Sequence, residues 1–114
     1  MPPTLADRLR HILEAAADIE ELLAGRDFPS FESDRLLRLA VERALEILSE
    51  ASRHIPDEIK AREADIAWRR LADLGNRLRH AYHRVDPVIL WNIAAQDLPM
   101  LRDRIHVILQ ADRS

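Results

Sequence analysis

Leu5, Leu9, Ile12, Leu13, Ala16, Ile19 and Leu23 recur at intervals of three and four residues along the first part of the chain. That spacing places them on one face of an α-helix, because 3.6 residues complete a turn. The pattern returns in Leu36, Leu37, Ala40, Val41, Ala44, Leu48 and Ala51, and no alternating β-branched run appears anywhere. Only two glycines, Gly25 and Gly75, punctuate the 114 residues. Apolar stripes of this kind can be buried only by packing helix on helix. We expect an all-α fold: an antiparallel up-and-down bundle of four to five helices, forming a single domain over residues 1–114.

The helix ends carry their own signals. Thr4 followed by Asp7 makes an approximate capping box, and Gly25 is a suitable terminator, giving a first helix over 4–24. "GRDFPSFES" reads as a loop, and a second helix runs from about Ser33 to Arg53. "HIPDEIKAREAD" has room for one short helical turn. A third helix begins near Asp65 and contains "IAWRRLADLGNRLRHAYH". Asp86 as cap and Pro87 at the first helical position open a fourth in "VDPVILWNIAAQ". The last helix, "DLPMLRDRIHVILQA", continues the fourth or is offset from it by a kink near Pro99. Trp68 and Trp91 fall on apolar faces and belong to the core. His11, His54 and His106 are scattered singly, at the surface or the core edge.

Composition removes several functional classes. No apolar run approaches the roughly 20 residues needed to cross a bilayer. The N-terminal stretch lacks the apolar segment of a signal peptide. With no cysteine there is neither a disulfide framework nor a thiolate metal site. The cytoplasm is the default compartment. A net charge of −3 argues against a general nucleic-acid coat protein. The charge is uneven, however. Residues 69–84 hold five arginines against Asp73 alone, a net of +4, which leaves −7 on the rest. A basic patch on an acidic body suits a local anionic ligand.

That patch is also where the chemistry concentrates. Counted along a helix, Arg69, Asp73, Asn76, His80 and His83 share one face, flanked by Arg77 and Arg84, while Leu71, Leu74 and Leu78 lie opposite. Such a stripe is usually the wet side of a helix. Its content suggests more, because His80 has an amide at Asn76 and a guanidinium at Arg77 within one turn. RNA cleavage through the ribose 2′-hydroxyl needs such parts: a base, an acid and a cation for the phosphate. A metal site is the weaker reading, since His80 and His83 would have only Asp86 as a third ligand. No cofactor is implied.

The pieces "GNRLRHAY", "RVD", "ILWNI" and "QDLPML", in this order within residues 66–105, resemble the HepT-like branch of the HEPN superfamily. The likeness extends more loosely over the first two helices. It implies a metal-independent endoribonuclease that acts as the toxin of a toxin–antitoxin pair and works as a homodimer with a shared cleft. Its partner would be a minimal nucleotidyltransferase antitoxin, which in some pairs transfers AMP to the motif tyrosine. The family motif is Arg, four to six residues, His, one residue, Tyr. His80 and Tyr82 match it, and Asn76 matches the polar residue that often follows the Arg. The Arg itself has no counterpart at Asp73, Leu74 or Gly75.

We therefore take His80, Asn76 and Arg77 as candidate catalytic residues, Arg77 standing in for the missing guanidinium. Arg69, Arg79, His83 and Arg84 are candidate contacts to RNA, and Tyr82 is the candidate modification site. Helix geometry alone permits an arginine at position 75, so Gly75→Arg should rebuild the motif. The alternative is a non-catalytic HEPN dimer that binds a nucleotidyltransferase or a nucleotide. A third reading is an unrelated helical interaction domain, with the basic stripe as ordinary solvated surface.

Overall fold

The computed structural model describes residues 1–80 and 85–113. Among these there is no strand. The elements are α1 (Leu5–Leu23), α2 (Phe28–Ser33), α3 (Arg35–Arg53), α4 (Asp57–Arg62), α5 (Trp68–Arg79), α6 (Pro87–Asn92), a π-helical turn (Ile93–Asp97) and α7 (Leu98–Arg113). The backbone stays helical from α6 through the π turn into α7. Four long rods with two short helices between them therefore make the expected bundle.

Local chemistry explains most of the boundaries. The Thr4 hydroxyl accepts the Asp7 amide and the Asp7 carboxylate accepts the Thr4 amide, so both halves of the capping box form. Gly25 follows α1 with φ +73°, a left-handed conformation that costs glycine little. Asp86 caps α6 by accepting the Val88 amide, and Pro87 occupies its first turn.

Three expectations need correction. "GRDFPSFES" is not a loop: residues 28–33 form α2, because the Asp27 carboxylate caps it at the Ser30 amide and Pro29 pre-sets its first turn. The second long helix begins at Arg35, where Asp34 caps it through the Leu37 amide. On that helix Leu36 and Ala40 face solvent, Leu36 being 73% exposed. The buried stripe runs instead through Leu37, Val41, Ala44, Leu45, Leu48 and Ala51.

Pro99 does not break the last helix. It lies two residues past the π turn, in which the Leu98 amide reaches back five residues to the Ile93 carbonyl. Proline lacks an amide hydrogen and its ring crowds the carbonyl four residues earlier. The widened turn supplies the slack.

The core collects side chains from every long rod: Leu9, Ile12 and Ile19 from α1, Leu45 and Leu48 from α3, Leu71 and Leu74 from α5, and Leu101 and Ile105 from α7. α1 and α3 run antiparallel. Leu22 shares a groove with Ala40 at one end, and Arg8 shares one with Glu50 at the other. Phe31 of α2, wholly buried, packs with Phe28 and Trp91 at centroid distances of 6.5 and 5.5 Å, which seats α2 on α6. Trp68 is half-buried, its indole N–H donating to the Glu63 carbonyl at 3.0 Å. His11, His54 and His106 are exposed.

Candidate active site

α5 carries the basic motif and lies against α3. Leu71 and Leu74 seal the contact, and Gly75 is buried beside them. The close approach has a specific cause. Ser49 of α3 donates its hydroxyl to the Leu71 carbonyl at 2.8 Å, with Ser49 itself 1% exposed. A Cβ built on Gly75 would lie 2.7 Å from Ser49 Cβ and nearer still to its Oγ. Gly75 is thus a packing glycine, and the expectation that Gly75→Arg would simply restore a side chain is overturned.

The third long helix is shorter than the sequence suggested. It begins at Trp68 and ends at Arg79, because His80 leaves helical geometry at φ −109°, ψ 18° while its amide still donates to the Asn76 carbonyl at 3.1 Å. The stripe Arg69, Asp73, Asn76 stays on α5 with all three side chains exposed, and His80 sits at its end as an exposed cap residue. Arg69 has no side-chain partner among the described residues. Tyr82, His83 and Arg84 lie outside the described residues.

Asn76 and Arg77 part company in three dimensions. Arg77 turns toward α6, where with Arg70, Asp73, Leu74, Ile89 and Ile93 it lines a cleft of about 280 Å³. Asn76 turns the other way and accepts a hydrogen bond from Arg79 Nη2. Arg79 Nη1 in turn donates to Glu50 of α3 at 3.3 Å. Glu50 also meets Arg53 at 3.2 Å and His54 at 3.3 Å. Partial burial pushes its carboxyl up, but the hydrogen bond from His54 and the charges of Arg53 and Arg79 outweigh this and hold it below the usual carboxylate range.

Arg79 therefore belongs with Asn76, and Arg77 stands apart from both. Sequence reasoning missed Glu50 and Ser49 because their partners lie 29 and 22 residues away. No local pattern signals such a pairing. Arg70 is a further cation the sequence did not single out, 3.4 Å from Asp97. Among the described residues, no three His, Asp or Glu side chains gather as a metal would require.

A helical bundle with a basic, histidine-ended helix is the class of protein this geometry defines. The family model for ribonuclease HepT-like proteins matches residues 12–108, and the chain belongs to that family. A Thermococcus cleftensis protein bearing the provisional name ribonuclease HepT is 40% identical over 98 residues, 86% of this chain and 89% of its own. A Methanocaldococcus jannaschii protein, provisionally named RNase MJ1380, is 34% identical over 100 residues, covering 88% and 92% respectively. A protein of Caldanaerobacter subterraneus subsp. tengcongensis, also provisionally named as an RNase, is 30% identical over 105 residues. No solved structure matches the chain.

Proposed function

We propose that this chain is a metal-independent endoribonuclease, the toxin of a toxin–antitoxin pair, acting in the cytoplasm. The observation that carries the reading is its membership of the ribonuclease HepT-like family over residues 12–108, which include "GNRLRHAY". His80 is exposed at the end of α5, open to solvent and substrate. In the proposed reaction one imidazole takes the proton of a ribose 2′-hydroxyl. The 2′-oxygen attacks the adjacent phosphorus, and a second group protonates the departing 5′-oxygen. Arg77 steadies the charge that builds on the phosphate, while Arg69 and Arg84, with His83, hold the neighbouring backbone.

One chain offers one motif histidine, so a homodimer that shares its cleft would provide the second proton-handling group. A minimal nucleotidyltransferase would be the antitoxin, silencing the toxin by binding it and, in one version, by transferring AMP to Tyr82. Mass spectrometry of the co-expressed pair tests that modification.

The position-75 glycine favours the second reading, a non-catalytic dimer that binds the nucleotidyltransferase or a nucleotide. Packing denies that position a side chain, and Arg79 turns toward Glu50 of α3 while Arg77 lines the cleft at α6. One experiment separates the two. Purified protein is incubated with total RNA in excess EDTA, and RNA ends are sequenced. We expect cleavage that survives chelation and is abolished by His80→Ala without loss of helicity. We expect Arg77→Ala to slow it by about 10²–10³-fold, the effect of losing one electrostatic donor. Cleavage unaffected by His80→Ala would reject the catalytic assignment. Its complete absence in the parent protein would favour the non-catalytic dimer.

A further inference from the structure

The end of α5 opens onto a cavity that the proposed reaction does not use. It lies between α1, α3 and α5 and has a volume of about 270 Å³. Arg8 and His11 of α1, Arg43, Glu46 and Glu50 of α3, and Arg79 of α5 line it, over an apolar floor of Ile47 and Ala51. Liquid water occupies about 30 Å³ per molecule, so the space admits a phosphate group with its attached sugar oxygen. Three guanidiniums and an imidazole face two carboxylates. Both carboxylates are already engaged, Glu46 by Arg43, and Glu50 by Arg53, His54 and Arg79. The uncommitted charge is positive. Arg8 and His11 have no side-chain partner among the described residues.

Arg79 is the fixed element of this cavity. One of its terminal nitrogens donates to Glu50 of α3 and the other to Asn76 of α5. A guanidinium has five N–H donors, so three stay free after those two bonds. Arg79 Nη1 passes over Gly75, 3.4 Å from where a Cβ would be, an ordinary contact distance. A guanidinium held this way has already lost the rotamer freedom that a free arginine gives up on binding an anion.

We propose that this cavity is a phosphate-binding subsite for a nucleotide, with Arg79 as its fixed anchor and Arg8 and His11 closing on the phosphate from α1. The phosphate belongs either to a free mononucleotide or to the backbone of an RNA strand whose scissile bond lies near His80. Only the second source rests on the ribonuclease reading.

The test uses the full chain and two probes, uridine monophosphate and a single-stranded 2′-O-methyl RNA hexamer that cannot be cut. Binding is followed by NMR at the His11 ring and the arginine side-chain Nε–H groups. We expect uridine monophosphate to shift His11 and Arg79. The double variant Arg8→Ala, His11→Ala should weaken it about tenfold, the effect of losing a charge-assisted contact. Arg62→Ala, on the remote α4, should bind as the parent does. For the hexamer the same double variant should flatten the dependence of log affinity on log salt by about one unit. Mononucleotide binding here without hexamer binding would keep the subsite and count against the RNA strand. If neither probe moves His11 or Arg79, or if the double variant binds both as the parent does, the proposal is overturned, whether or not the chain cuts RNA.

Discussion

Gly75 sits in the middle of a basic motif, yet what fixes it is a serine on another helix. Alanine is the better helix former by about 1 kcal/mol, so propensity alone would make Gly75→Ala stabilising. The structure reverses the sign. The added Cβ would lie 2.7 Å from Ser49 Cβ, and the cost of forcing atoms into a packed contact runs to about 1–3 kcal/mol. We expect Gly75→Ala to lower the unfolding free energy by about 1 kcal/mol in urea titrations, and the Ser49→Gly background to recover most of that loss. Gly75→Arg should lose stability and gain no cleavage, the opposite of what the motif pattern suggests. A Gly75→Arg protein that is both folded and faster on RNA would show that α3 and α5 can part at no cost.

Helix caps decide where α1, α3 and α6 begin, and each of these three uses a carboxylate. The amide of Leu37, with Arg26 3.2 Å away, outweighs slight desolvation and holds the Asp34 carboxyl below its ordinary value. The Thr4 amide and Arg10 do the same for Asp7. The hydrogen bond from Arg104 does so for Glu63. Groups depressed in this way bind protons less readily in the folded chain than in the unfolded one. The stability they add is complete above the ordinary carboxylate range, about 4, and is lost as pH falls from there through the lowered values of the folded chain. We expect the melting temperature to drop on acidification from pH 6 to pH 3. Asp34→Ala should lower the melting temperature at pH 7, as lost N-caps do, and lower it much less at pH 3. An equal cost at both pH values would show that the cap acts through something other than its charge.

At the scale of the whole molecule the open matter is the second copy. Under the proposed reaction the chain needs a partner that brings another His80, so α5 should lie at or near the interface. We expect light scattering to give the mass of a dimer at micromolar concentration. Mixing His80→Ala chains with active ones should then yield heterodimers with altered activity. A monomeric mass under conditions where RNA is still cut would remove the shared cleft. Within one chain, Phe31 ties the short α2 to the C-terminal rod. Phe31→Ala should cost about 3–5 kcal/mol, the usual effect of emptying a wholly buried aromatic site.

Periodicity and caps are local, and the sequence determined what is local. The apolar stripe of α1, its Thr4–Asp7 capping box, the Asp86–Pro87 opening of α6 and the helical class of the fold follow from residues within a few positions of one another. The short helix α2 is equally local, but Asp27 and Pro29 suit a turn as well as a helix start, and the Ser30 amide donating to the Asp27 carboxylate makes it a helix. What only the tertiary structure decided is what joins distant segments. Ser49 meeting Leu71 explains Gly75. Glu50 meeting Arg79 turns that arginine toward α3, while Arg77 faces α6. Which of two neighbouring arginines points where depends on the helix packed alongside. That helix is set by the sum of the core contacts, so no spacing within "LGNRLRHAYH" could have specified it.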